Sequence, residues 1–200
     1  MNTTVAFLAQ TLAIFMGFFT RVVFTRTLSE GYVGINGLFT DILNILSLSE
    51  LGVGTAITYA LYAPIARRDI KKQQILMRMF RNFYRITAGF VLLAGLCLIP
   101  FLDILMKDRP DVNHLIIIYL LYLLNSVVSY LLIYKKTLVD AHQMNYITVM
   151  YHNGFLVLQD ILQIIVLFLT RNFILFLVIA VVCTIIGNIC MSRKADRLFP

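Results

Sequence analysis

The stretch Gly31–Asp69, GYVGINGLFTDILNILSLSELGVGTAITYALYAPIARRD, decides how the rest of the chain is read. From about Val33 to Tyr62 it reads as an apolar helix long enough to cross a bilayer, yet Asp41 and Glu50 lie well inside it. On an insertion scale a carboxylate near the bilayer centre costs roughly 2.5–3.5 kcal/mol, against about −0.3 to −0.6 for each Leu, Ile, Phe or Val. The apolar residues can carry the helix into the membrane, but the acids cannot face lipid. At about 100° per residue, Asn36, Thr40, Asn44, Ser47, Glu50 and Gly54 fall in one stripe, with Asp41 at its flank. Such a stripe faces either a wet cavity inside a bundle or an interhelical hydrogen-bond seam. The segment exceeds the ~20 residues needed to cross, which implies tilt or a bend. Gly52 and Gly54 permit either, and Pro64 is expected to end the helix.

The same character extends in both directions. The 200 residues are 60% hydrophobic and 14% charged, and the mean hydropathy of +0.86 lies outside the soluble range. Continuous apolar runs, rather than alternating ten-residue strands, argue against a membrane barrel. The expected fold is all-α: a polytopic transmembrane helical bundle forming a single lobe over 1–200. Its six spans fall at about 4–20, 33–62, 86–106, 115–134, 146–169 and 173–191. The first has neither a basic n-region nor a small-x-small cleavage site, so it reads as a retained span rather than a signal peptide. Segment 70–85 is amphipathic, with Leu76, Met79, Phe80 and Phe83 on one face and Lys71, Arg78, Arg81 and Arg85 on the other. It is expected to lie in the headgroup layer of an anionic leaflet and to turn inward near Ile86.

The formal charge of +7 does not point to nucleic acid, because the basic residues cluster in loops beside the spans. With the N-terminus cytoplasmic, Arg21, Arg26, Lys107, Arg109 and Arg171 fall outside and the other twelve Lys and Arg fall inside. That distribution satisfies the positive-inside rule and places both termini in the cytoplasm. Cys97, Cys183 and Cys190 sit in apolar runs and read as small packing residues. His114, His142 and His152 lack ligand spacing, the acids are scattered, and the glycines of GYVGING and LGVGT follow no strand. No metal, cofactor or catalytic centre is expected, and the chain does not read as an enzyme.

Five segments in order carry a resemblance: FTRTLSEGYVGINGLFTDILNILSLSELGVGTAITYALYAPIARRDIKK (24–72), FRNFYRITAGFVLLAGLCLIPFLDILMK (80–107), IIIYLLYLLNSVVSYLLIYKKTLVDAHQMNYI (116–147), ILQIIVLFLTRNFILFLVI (161–179) and NICMSRKADRLFP (188–200). Together they resemble bacterial polysaccharide repeat-unit flippases of the multidrug/oligosaccharidyl-lipid/polysaccharide exporter superfamily. The likeness is greatest to the capsule and exopolysaccharide branch of Gram-positive bacteria. It implies a multi-pass protein of the cytoplasmic membrane that moves undecaprenyl-diphosphate-linked oligosaccharide between leaflets by alternating access. Such flippases have two six-helix lobes around a central cavity. This chain is expected to supply one lobe, as a truncated or half-length chain completed by a second lobe or another copy of itself.

On that reading the partners are a lipid-linked oligosaccharide and anionic membrane lipids. Arg21 and Arg26 are candidates for the diphosphate, because a guanidinium fork matches phosphate oxygens; the alternative is snorkelling at a helix end. Asn44, Ser47, Asn153, Gln159 and Gln163 can meet sugar hydroxyls or pair helix to helix. Asp41, Glu50 and Asp160 are candidates for coupling to protons or Na⁺, or for pairing with the arginines. Tyr119, Tyr122 and Tyr130 form either a sugar-stacking or a packing face. A drug/cation antiporter lobe of the same superfamily and a non-transporting membrane scaffold are the rival readings.

Overall fold

The computed structural model describes residues 2–47, 53–102 and 114–199. They form an all-α bundle of α1 (Asn2–Thr27), α2 (Glu30–Ser47), α3 (Val53–Ala66), α4 (Ile70–Leu98), α5 (Leu115–Leu131), α6 (Ile133–Ala141), α7 (Asn145–Thr170) and α8 (Phe173–Leu198). A 3₁₀ turn at Ile99–Phe101 continues α4. Among the described residues, four helices are long and apolar enough to cross a membrane: the Phe7–Thr27 part of α1, α4 with its 3₁₀ turn, α7 and α8. Helices α5 and α6, bent by 40° where the chain leaves helical geometry at Leu132, make a fifth if counted together. These long apolar helices are those of a membrane-embedded protein.

Helix α1 lies along α7, α7 against α8, α8 against α5, and α5 against α4. Helix α2 covers α4 and α5, while α3 packs on α6 and α4. Cross-helix hydrogen bonds fix the directions. Asn153 of α7 donates to Oε1 of Gln10 in α1 at 2.8 Å, and further along the same pair Asp160 faces Gly17, so the two helices are parallel. Tyr119, early in α5, donates to the carbonyl of Gly95, late in α4, making that pair antiparallel. Gln163 of α7 donates to the Phe176 carbonyl near the start of α8. Asn188 of α8 donates to Val128 of α5, so those two run together.

One end of the bundle is an aromatic cluster. Phe24 lies in the last turns of α1, Tyr32 and Phe39 on α2, Tyr122 on α5, and Phe173 and Phe176 open α8; their rings stand 5.3–6.4 Å apart in a chain of contacts. The polar turn between α7 and α8 is built there: Arg171 takes a left-handed φ of 50°, and Asn172 caps α8 by accepting from the backbone N–H groups of Ile174 and Leu175. At the other end Lys135 pairs with Asp196 at 2.6 Å, joining α6 to the last turns of α8.

Two expectations change, and a third falls partly outside the described residues. The second span holds α2 and α3, and residues 48–52 between them lie outside the described residues together with Glu50. Pro64 does not stop α3, which runs on to Ala66. A proline in the last turn forfeits one hydrogen bond and its fixed φ still suits a helix. The stop comes at Arg68, with φ 53°, after which Asp69 caps α4 by accepting from Lys72 N–H. Nor does the chain turn at Ile86. Residues 70–98 are one helix, about 43 Å long at 1.5 Å per residue against a hydrocarbon core of about 30 Å. Its first turns can therefore stand in the headgroup region without a break.

Candidate functional site

Two polar regions emerge. The first lies where α1, α2 and α5 approach. Tyr122 donates its hydroxyl to Asn36 Oδ1, and Arg21 is close enough for its charge to act on that hydroxyl. Arg21, Arg26, Thr40, Asp41 and Asn44 are exposed, because α1 and α2 touch only sparsely. Thus Arg21 comes together with the polar side of α2, whereas Arg26 shows no such neighbour among the described residues. The side chain of Ser47 lies outside the described residues.

The second region lies inside the bundle. A cavity of about 270 Å³ between α5, α6, α7 and α8 is lined by Asn125, Lys136, Thr148, His152, Gln159 and Asn188, among others. A neighbouring one of about 390 Å³, between α3, α4 and α6, carries Thr55, Thr58, Tyr59, Tyr62 and Asp140. Lys136 and Ile133 line both, so α6 is the wall between them. Asn125 Oδ1, Thr148 Oγ1 and Asp140 Oδ1 are buried without a hydrogen bond of ordinary geometry. Lys136 is within electrostatic reach of Asp140 and His152. Among the described residues its ammonium has no ion pair or hydrogen bond.

Other candidates occupy helix seams. Asn153 is 2% exposed and Gln163 is 3% exposed; their amides are engaged with Gln10 and with the Phe176 carbonyl. Asp160 lies part-buried between α1 and α7, facing Gly17 and the Thr20 hydroxyl. Gln159 is shared between the two settings, since it lines the cavity and reaches Gln163 Oε1 at 3.5 Å. Tyr119 and Tyr130 are buried packing residues, at 0% and 5% exposure. Sequence reasoning passed over Asn125, Lys136 and Thr148. In the sequence Lys136 reads as a loop residue, whereas it lies on α6, which follows α5 after a 40° bend.

No protein-family model, curated protein or solved structure matches the chain. What the fold and its polar groups define is a class: a helical membrane bundle with a cavity between its helices that carries several polar side chains, and a second polar region left open on one side.

Proposed function

We propose that this chain is one six-span lobe of a carrier for lipid-linked oligosaccharide, acting in the bacterial cytoplasmic membrane for capsule or exopolysaccharide synthesis, with both termini cytoplasmic. The sequence resemblance to repeat-unit flippases covers nearly the whole chain. The helix directions agree with alternating crossings, counting α2 with α3 and α5 with α6 as one span each. The observation that carries the reading is Arg21, exposed on α1, beside the Tyr122–Asn36 pair. A charge inside a bilayer faces a bundle interior or water rather than acyl chains. An open, charged side of this kind needs a hydrated cavity, a second lobe across it, or both. There Arg21 would meet the diphosphate, and the amides and hydroxyls beside it the first sugars.

The test is binding by the purified chain of an undecaprenyl-diphosphate oligosaccharide, compared with undecaprenol and with a small lipophilic cation. The reading requires preference for the sugar-lipid and a loss of roughly tenfold or more in Arg21→Ala, the scale of one charge-assisted hydrogen bond. Equal binding of undecaprenol would remove it. Preference for the cation would move the chain to the antiporter branch.

A further inference from the structure

From the cavity behind α6 we infer that the protein holds one anionic glycerophospholipid, its phosphodiester at Lys136 and one chain in an apolar groove on α7. The cavity has the donors such a head needs. Lys136 lines it with an ammonium that makes no ion pair or hydrogen bond among the described residues, although its charge reaches Asp140, whose carboxyl the Thr148 hydroxyl faces. The side-chain amide of Asn125 lines it as well.

The cavity is also joined to a greasy exit. Tyr151 and Phe155 line both it and a groove of about 230 Å³ completed by Met150, Gly154 and Leu158. Met150 and Leu158 are exposed, so the groove opens toward the surrounding leaflet. A Cβ on Gly154 would meet nothing within 4 Å, which leaves room there for a hydrocarbon chain. A largely apolar cavity carrying a few polar groups thus continues into an apolar groove, as an amphiphile requires.

Charge selects the head. A phosphodiester carries one negative charge, matching Lys136, whereas a phosphomonoester or diphosphate would bring more charge close to Asp140. Position agrees, because Lys135, beside Lys136, pairs with Asp196 near the basic C-terminal end of α8. Basic pockets between membrane helices at a cytoplasmic face are known hosts for acidic headgroups.

The inference does not depend on the transport reading. Loss of sugar-lipid binding at Arg21 would leave the phospholipid site intact, and the reverse also holds. The test is native mass spectrometry of the full chain released from phosphatidylcholine nanodiscs containing a minor fraction of phosphatidylglycerol. One phosphatidylglycerol is expected to stay bound. Retention should fall roughly fivefold to tenfold in Lys136→Gln, the scale of one basic residue, and comparably in Gly154→Leu, which fills the groove. Lys136→Arg keeps the charge and should retain the lipid, which separates a lost site from a lost fold. Lys135→Gln, whose partner is Asp196, should also retain it. Retention of phosphatidylcholine equal to that of phosphatidylglycerol, or no change in Lys136→Gln, overturns the inference. So does inorganic phosphate or a polyprenyl monophosphate displacing the phospholipid from the wild-type chain.

Discussion

The Tyr119 hydroxyl donates to the carbonyl oxygen of Gly95 at 2.8 Å, binding α5 to α4. A Cβ on Gly95 would stand 2.3 Å from Leu123 Cδ1, so the approach depends on the missing side chain. Gly95→Ala gains about 0.5–1 kcal/mol of helix preference but meets an overpacking cost of about 1–3 kcal/mol. Overpacking outweighs the gain, and the variant is expected to melt at a lower temperature. Leu123→Val removes the clashing methyl groups, so the double variant should lose less than the sum of the singles. Additive losses would show that Gly95 and Leu123 do not meet.

The Gln10–Asn153 hydrogen bond is one polar tie between α1 and α7. Interhelical bonds of this kind in a membrane average about 0.6 kcal/mol and reach about 1.7. A double-mutant cycle on Gln10→Leu and Asn153→Leu should return a coupling energy in that range, read from reversible unfolding in detergent. A value near zero would mean that the two amides do not pair.

The Lys135–Asp196 bridge is short, but the Asp196 side chain is 60% exposed. Surface pairs contribute about 0–1 kcal/mol and are screened by salt. Asp196→Asn should therefore shift stability by less than about 1 kcal/mol, with the difference vanishing at high salt. A large, salt-independent loss would mean that the pair is buried in the assembled protein.

The spans that were legible in the sequence are those whose apolar runs have no interruption. The expected 146–169 and 173–191 lie within α7 and α8, separated by the turn in which Arg171 takes a left-handed φ and Asn172 caps α8. In segment 70–98 the change from amphipathic to uniformly apolar character near Ile86 reads as a turn, yet a change of character alone does not end a helix. No proline or glycine pair forces a break at Ile86, and the backbone continues through it. Asn36 shows the other limit. Its place on the polar stripe of α2 is evident from periodicity, but its partner Tyr122 lies 86 residues away. The neighbours of a helix depend on long-range packing, which a helical wheel does not contain. Hence Asn153 and Gln163 could be placed on a polar side, but not in their seams, and the Lys136 cavity could not be foreseen at all.

The central claim is that the charged side shared by α1 and α2 meets water rather than acyl chains. It is tested most directly by cysteine accessibility at Asp41 in sealed membranes, with Cys97, Cys183 and Cys190 replaced by Ala. A water-soluble maleimide is predicted to label Asp41→Cys, the sugar-lipid to slow this labelling, and Phe15→Cys on the exposed apolar face of α1 to stay unlabelled. An Asp41→Cys variant that resists the water-soluble reagent and is quenched by a lipid-confined probe would contradict it.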